Sequence, residues 1–230
     1  MMMLLILGVV PALLLMGYVY RLDRIEPEPW GLLLKLFVYG GLTTFAAGIL
    51  EEIGVFALSL FLDNPYSQAF LVLENFLVVG LAEEGVKHYA LRKTTWYHSA
   101  FNYRFDGIVY SVAVALGFAA FENVMYILNF GLGVAPVRAV TAIPMHAICG
   151  IYMGHLYGQA KYHEAMRDWG AMTAYQWASV IIPLLLHGFY DFAASSDSPL
   201  LSGLFLLYVV VIDIVSFILL KHYSKTDTNV

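Results

Sequence analysis

FLVVGLAEEGVKHYAL, residues 76–91, sets two adjacent glutamates, Glu83 and Glu84, inside an apolar run that suits packed membrane helix better than water. A charged side chain at the centre of a membrane helix costs roughly 2.5 kcal/mol or more on insertion scales, so an intramembrane pair marks a functional site by default. The pattern recurs outward along the chain. Glu122 lies in GFAAFENVMYIL, His146 in AIPMHAICGIYMG, and His187 with Asp191 in IIPLLLHGFYDF. Six ionisable side chains on four hydrophobic stretches read as one buried polar constellation.

The remaining composition agrees with a membrane setting. Of 230 residues, 60% are hydrophobic and 13% charged, and the mean hydropathy of +0.73 lies outside the range of ordinary soluble domains. The fold class expected is an all-α polytopic membrane protein. At about 20 residues per span, the sequence predicts seven helices: Leu4–Tyr20, Gly31–Leu50, Asn75–Trp96, Gly107–Phe130, Pro136–Gln159, Ala174–Ala194 and Leu200–Leu220. Little chain remains for anything else, so residues 1–230 read as one transmembrane domain with a motif-bearing core over 75–194. The single cysteine, Cys149, excludes an intramolecular disulfide.

Basic residues alternate from one set of connections to the other. Arg21, Arg24 and Lys35 flank the first connection, Arg92, Lys93 and Arg104 the third, Lys161 and Arg167 the fifth, and Lys221 and Lys225 the tail; the intervening connections carry only Arg138. By the positive-inside rule the amino terminus is outside and the carboxyl terminus cytoplasmic. The first apolar segment has its positive charges after it rather than before and no small-x-small cleavage site, so it reads as a retained helix. The scattered bases, interspersed with acids, argue against a nucleic-acid partner.

The span boundaries set the polar groups at one level. Glu83 and Glu122 lie eight residues from the outer ends of their helices, His146 ten and His187 seven. At about 1.5 Å per residue all four fall about 10–15 Å deep. His187 and Asp191, four apart, share a helix face, so the carboxylate can fix the imidazole tautomer. Glu83 and Lys87 are spaced likewise, and Lys87 reads chiefly as charge compensation. His146, Gly150, Gly154 and Gly158 form a stripe of the kind that lets membrane helices approach closely, and Pro144 can kink that helix and free a carbonyl.

In order along the chain, Glu83-Glu84-x-x-Lys87, DGIVY at Asp106–Tyr110, GFAAFEN ending at Glu122 and Asn123, His146-Ala-x-x-Gly150 and His187-Gly-x-Tyr-Asp191 resemble the PrsW intramembrane proteases. The resemblance covers Glu83 to Asp191, nearly half the chain, and is more distant to the CAAX prenyl endopeptidases. It implies a multi-pass peptidase of the bacterial plasma membrane that clips a single-span anti-sigma factor on its outer side. In the CAAX enzymes an arginine follows the glutamate pair one position later, a histidine occupies the second motif, and the last motif is His-x-x-x-Asn. Here those places hold Lys87, Glu122 and Asp191. The metal-free glutamate chemistry inferred for those enzymes therefore carries over to Glu83 and Glu84 better than to Glu122.

Two mechanisms suit this residue set. In one, Glu122, His146 and His187 form a His₂Glu zinc site with an open position, and one of the paired glutamates is the general base. In the other, no metal takes part: a buried glutamate takes the water proton, and His187 with Asp191 polarises the scissile carbonyl. Zinc is the preferred reading, because clustered carboxylates in low dielectric need a cation or protons between them. Neighbours on a helix project about 100° apart, so Glu83 is expected as base and Glu84 as its partner or acid. An ion- or proton-coupled transporter and a non-catalytic membrane scaffold are the alternatives; the absence of an internal repeat speaks against transport.

Other polar residues read more simply. Asn123 and Tyr126 suit interhelical hydrogen bonding, and Cys149 a small buried thiol. Glu51, Glu52 and Glu74 are expected as solvated charge at the outer rim, and His88 and His155 toward the inner boundary. Asp106 is expected as the N-cap of its helix. Asp213, alone on the last span, has no visible partner.

Overall fold

The computed structural model describes residues 2–196 and 198–230. In chain order the elements are α1 (Met2–Tyr20), α2 (Trp30–Ser59), α3 (Gln68–Leu73), a π-helical stretch (Glu74–Gly80), α4 (Leu81–Thr95), α5 (Arg104–Phe130), a short 3₁₀ turn (Leu132–Val134), α6 (Ala135–Val140), α7 (Ala142–Ala165), α8 (Trp169–Ala194) and α9 (Pro199–Lys225). Among the described residues the only strand-like pairing is an isolated bridge between Tyr103 and Asn229. That bridge, with Arg104 N donating to Thr228 O at 3.0 Å and Val230 N to Asn102 O at 3.0 Å, ties the carboxyl-terminal tail to the start of α5.

α5 is the central post, packed against α7, α2 and α1. Every residue from Phe105 to Ala120 is buried, as expected for a helix apolar on all sides. Its sequence, GIVYSVAVALGFAA, is small and β-branched, which lets neighbouring backbones come close. A methyl group added at Gly40 of α2 would run into the Val114 carbonyl of α5, and one at Gly117 of α5 into the Phe37 carbonyl of α2. On the opposite side the stripe Gly150, Gly154 and Gly158 of α7 lies against the α5 backbone at Val112, Gly107 and Arg104. These seams give dense packing where the hydrophobic effect offers no drive between helices in lipid.

Five helical segments are long and apolar enough to cross a membrane: α2, α5, the unit from Leu132 to Ala165, α8 and α9. Among the described residues the other two expected spans are helical but are not counted with these five. In α1 the described apolar helix is Ile6–Tyr20. The stretch Gln68–Thr95 is divided into three pieces and carries Glu74, Glu83, Glu84, Lys87, Arg92 and Lys93. Five boundaries differ from expectation by five residues or more, among them the ends of α7 at Ala165 and of α9 at Lys225. α2 continues nine residues past Leu50 to Ser59; the third span begins at Gln68, where Ser67 Oγ accepts from Phe70 N at 3.2 Å; α8 begins at Trp169, capped by Asp168.

Two local departures from α-helix aim the polar side chains. The π-helical stretch directly precedes the glutamate pair, a feature often found at functional sites. Gly80 at its end lies against the Leu184 carbonyl of α8, and Gly188 of α8 against the Phe76 ring, so these two segments meet closely. The span expected over Pro136–Gln159 is broken at Thr141, between α6 and α7. Pro144 explains the break: it has no N–H for the Val140 carbonyl and its ring crowds that oxygen. Thr141 N still bonds Val137 O, and Met145 N still bonds Thr141 O, each at 3.0 Å.

Candidate active site

The six residues singled out by sequence converge from α4, α5, α7 and α8, with Lys87 among them. Its ammonium donates to Glu83 Oε2 at 2.9 Å and Glu84 Oε1 at 2.8 Å, one turn back on α4. It also lies 3.0 Å from Nδ1 of His146 on α7. A lysine ammonium has only donors, so Nδ1 accepts and the His146 proton resides on Nε2. That nitrogen faces Glu122 Oε2 of α5 at 2.9 Å. His187 of α8 turns Nδ1 to Glu84 Oε1 at 2.8 Å and Nε2 to Asp191 Oδ2 at 3.3 Å; Nδ1 is also 3.8 Å from Glu83 Oε2. The two imidazoles stand edge to face, 4.9 Å between centroids.

The site is closed on one side and open on the other. Glu84, Lys87, His146 and His187 are buried, with the Phe118 ring 4.0 Å from the Lys87 ammonium. Glu83, Glu122 and Asp191 border a cavity of about 430 Å³, together with Asn75, Tyr126 and Ser195. The paired glutamates therefore differ as their helical angle demands: Glu83 reaches the cavity, whereas Glu84 is wholly enclosed and its Oε2 is buried without a partner among the described residues.

Two participants were missed at the sequence level. Arg138, assigned above to a connection, lies on α6 and donates to Glu122 Oε2 at 2.8 Å and to Asn123 Oδ1 at 3.0 Å, with its guanidinium over the Tyr126 ring. The signal for it was the buried Glu122, which needs a cation of its own. Glu51 is a correction: it is not rim charge but lines the cavity with Glu83, Glu122 and Asp191. Thr44, Gly48 and Glu51 make one helical stripe on that cavity, legible only if α2 is carried past Leu50. Glu52 is exposed and Glu74 half-buried.

The remaining expectations resolve individually. Asn123 bridges helices, donating to Leu7 O at 3.2 Å. Cys149 is buried with Sγ directed at Pro183 O, 3.7 Å away. His88 and His155 pack against Tyr157 and Tyr223, away from the cluster. Asp106 is not the N-cap but the third residue of α5, whose Oδ2 reaches back to accept from Asn102 N at 2.9 Å and Tyr103 N at 2.7 Å. Asp213 is half-buried on α9 and gains no role.

The donor chemistry suits a divalent ion, with a change of ligands from the expected set. Glu83, Glu84, His146 and His187 each offer a ligand atom within 4.8 Å of the others. Glu122 stands outside this group, on the far nitrogen of His146, where Arg138 holds it. Two imidazoles and two carboxylates fit zinc, and Glu122 takes the place of the acid that orients a ligating histidine. The Lys87 ammonium, however, already bonds three of the four donors.

Residues 28–220 match the family described as PrsW family intramembrane metalloprotease. "Protease PrsW" of Geobacillus kaustophilus (strain HTA426) is 35% identical over 184 residues, 80% of this chain and 76% of that protein. "Protease PrsW" of Clostridioides difficile (strain 630) is 33% identical over 229 residues, 98% of this chain and 93% of its own length. For the protein of that name from Bacillus subtilis (strain 168) the figures are 32% over 193 residues, 83% and 82%. No solved structure matches the chain.

Proposed function

The chain belongs to the PrsW family of intramembrane proteases, and on that premise we propose that it cuts a single-span membrane protein, such as an anti-sigma factor, on the outer side of the membrane. It is a multi-pass protein of a bacterial plasma membrane. Seven spans, with the amino terminus outside and the carboxyl terminus cytoplasmic, form part of this reading and rest on the distribution of basic residues. The observation that carries the proposal is the cavity itself: Glu83 opens onto it, while two histidines and a second glutamate stand directly behind.

In this reading Glu83 takes the proton of the attacking water. Asp191 and Glu84 hold the two nitrogens of His187 and so fix that ring beside Glu83, where the His187–Asp191 pair would polarise the scissile carbonyl once Asp191 yields Nε2 to it. Glu122, fixed by Arg138, keeps the His146 proton on Nε2 and frees Nδ1 to face the cluster. His146, His187 and the paired glutamates are the donors that would hold zinc. When bound, such an ion supplies a Lewis acid. The position of Lys87 favours a second reading, in which its ammonium is the resident cation and water activation falls to Glu83 alone.

The reading is tested by co-expressing the protein with a single-span substrate. Glu122→Gln, His187→Ala and the pair Glu83→Gln with Glu84→Gln should each abolish cleavage while the protein still inserts. Full cleavage by the double glutamine variant would end the protease reading. Metal analysis of purified protein, with activity measured before and after a chelator, separates the zinc mechanism from the metal-free one.

A further inference from the structure

DGIVY, the one motif that the candidate active site does not use, lies at the start of α5. Sixteen residues separate Asp106 from Glu122 on that helix, about 24 Å along its axis, so this is a different region of the molecule. Asp106 meets there two acids of the connection between α1 and α2, Asp23 and Glu28. Each offers an oxygen within 4.8 Å of the others, and their exposures are 1%, 7% and 3%.

Three buried carboxylates in near contact call for compensation, and protein groups supply it only in part. Asp106 Oδ2 accepts the amides of Asn102 and Tyr103. Glu28 accepts from the Tyr110 hydroxyl, the last residue of the motif. Asp106 Oδ1 and Asp23 Oδ2 are buried with no partner among the described residues. No lysine or arginine forms an ion pair with any of the three among those residues. Arg21 and Arg24 are exposed, and the Arg104 guanidinium lies on the Tyr162 ring and bonds Gln159. Asp227, in the tail, caps the amides of Phe105 and Thr228 at 2.9 Å each.

We propose that Asp23, Glu28 and Asp106 form a binding site for a hard divalent cation, calcium or magnesium, which joins the first connection to the base of α5. All-oxygen donors with clustered carboxylates suit these ions rather than zinc. Asp23 and Asp106 each keep one buried oxygen without a partner among the described residues, and so retain a lone pair for such an ion. Tyr110 holds Glu28 in place from the next turn of the helix. The ion clamps an end of the bundle where α1, α2, α5 and the tail come together.

The test uses the full chain in detergent, stripped with a chelator and titrated calorimetrically with calcium chloride and, separately, magnesium chloride. One ion per chain should bind and raise the melting temperature. Asp23→Asn, in a connection and outside the helix cap, should weaken binding by about tenfold or more, whereas Glu83→Gln should leave it unchanged. Asp106→Asn, which also loosens the cap of α5, serves as the second variant. The site is refuted by no response to either ion at about 10 mM, beyond the range of weak calcium modules. It is equally refuted by unaltered affinity in Asp23→Asn, or by binding that disappears in Glu83→Gln. An Asp23→Asn protein that melts above wild type with or without cations would show that protons, not metal, neutralise these acids.

Discussion

The Lys87 ammonium stands 3.0 Å from Nδ1 of His146, in the midst of the donors that suit a metal ion. Lysine and metal would compete there, because the ammonium already bonds Glu83, Glu84 and His146. Replacing Lys87 by methionine should tighten zinc binding by about tenfold or more, measured by competition with a chromophoric chelator, as expected when a unit positive charge is removed beside the ligands. Without metal the same variant should lose about 3–5 kcal/mol of stability, the cost of leaving one side of a buried ion pair. Zinc should then raise its melting temperature more than that of the wild type. Weaker zinc binding in Lys87→Met would mean that the lysine supports the ion rather than competing with it.

The paired glutamates should separate by assay. Glu83 faces the cavity and Glu84 is enclosed. Glu83→Gln should reduce cleavage by about 10²–10⁴-fold, the usual worth of a general base, with little change in melting temperature. Glu84→Gln should lose activity and stability together, because the amide removes the buried negative charge that Lys87 and His187 bond. If Glu84→Gln proves as stable as wild type and Glu83→Gln keeps its rate, the two roles are reversed.

The seam between α5 and α7 should be intolerant of a single methyl. A Cβ at Gly154 meets backbone of Gly107 and Ile108, which cannot move aside as a flexible side chain can. Gly154→Ala should cost about 1–3 kcal/mol, the range for overpacking. It should also lower cleavage, because the shift reaches His146 two turns away on α7. Gly17→Ala, where nothing lies within 4 Å of the added atom, is the control. Equal melting temperatures for the two variants would contradict this packing.

At the other end of α5, burial and the charges of Asp227 and Glu26 push Asp23 up to about 6. Burial pushes Glu28 up to about 7, against the lowering effect of the Tyr110 and Asp106 hydrogen bonds. Asp227 is raised as well, mainly by burial. Raised carboxylates hold protons in the folded state that the unfolded chain has released. Stability should therefore be greatest near pH 4 and fall as pH rises through about 6 to 7. Melting curves in chelator from pH 4 to pH 8 check the sign. The decline should shrink in Asp23→Asn, and a slope of the opposite sign would remove these acids as its cause.

Much of the site was legible in the sequence because charge inside an apolar run is too costly to be incidental. Glu83, Glu84, Glu122, His146, His187 and Asp191 needed only that principle and helical spacing. The rest depended on geometry that periodicity does not encode. Glu51 was lost because a glutamate pair looks like the end of a span, although α2 continues to Ser59. Arg138 was lost because a positive charge in a loop reads as topology, whereas α6 turns it inward onto Glu122. The π-helical stretch has no signature in residue propensity, yet it leads directly into the helix that carries both glutamates. The count of spans was least readable, since the segment that bears the chemistry is by that fact too polar to satisfy a hydropathy threshold.

Where carbonyl lies against glycine along α5, the bundle has no slack to lend. A polypeptide arriving from the lipid cannot part α5 from α2 or α7 without breaking contacts made by main chain. The cavity's rim differs: at Met125, Tyr126 and Phe130, exposed at 43%, 38% and 67%, it is lined by outward-facing side chains.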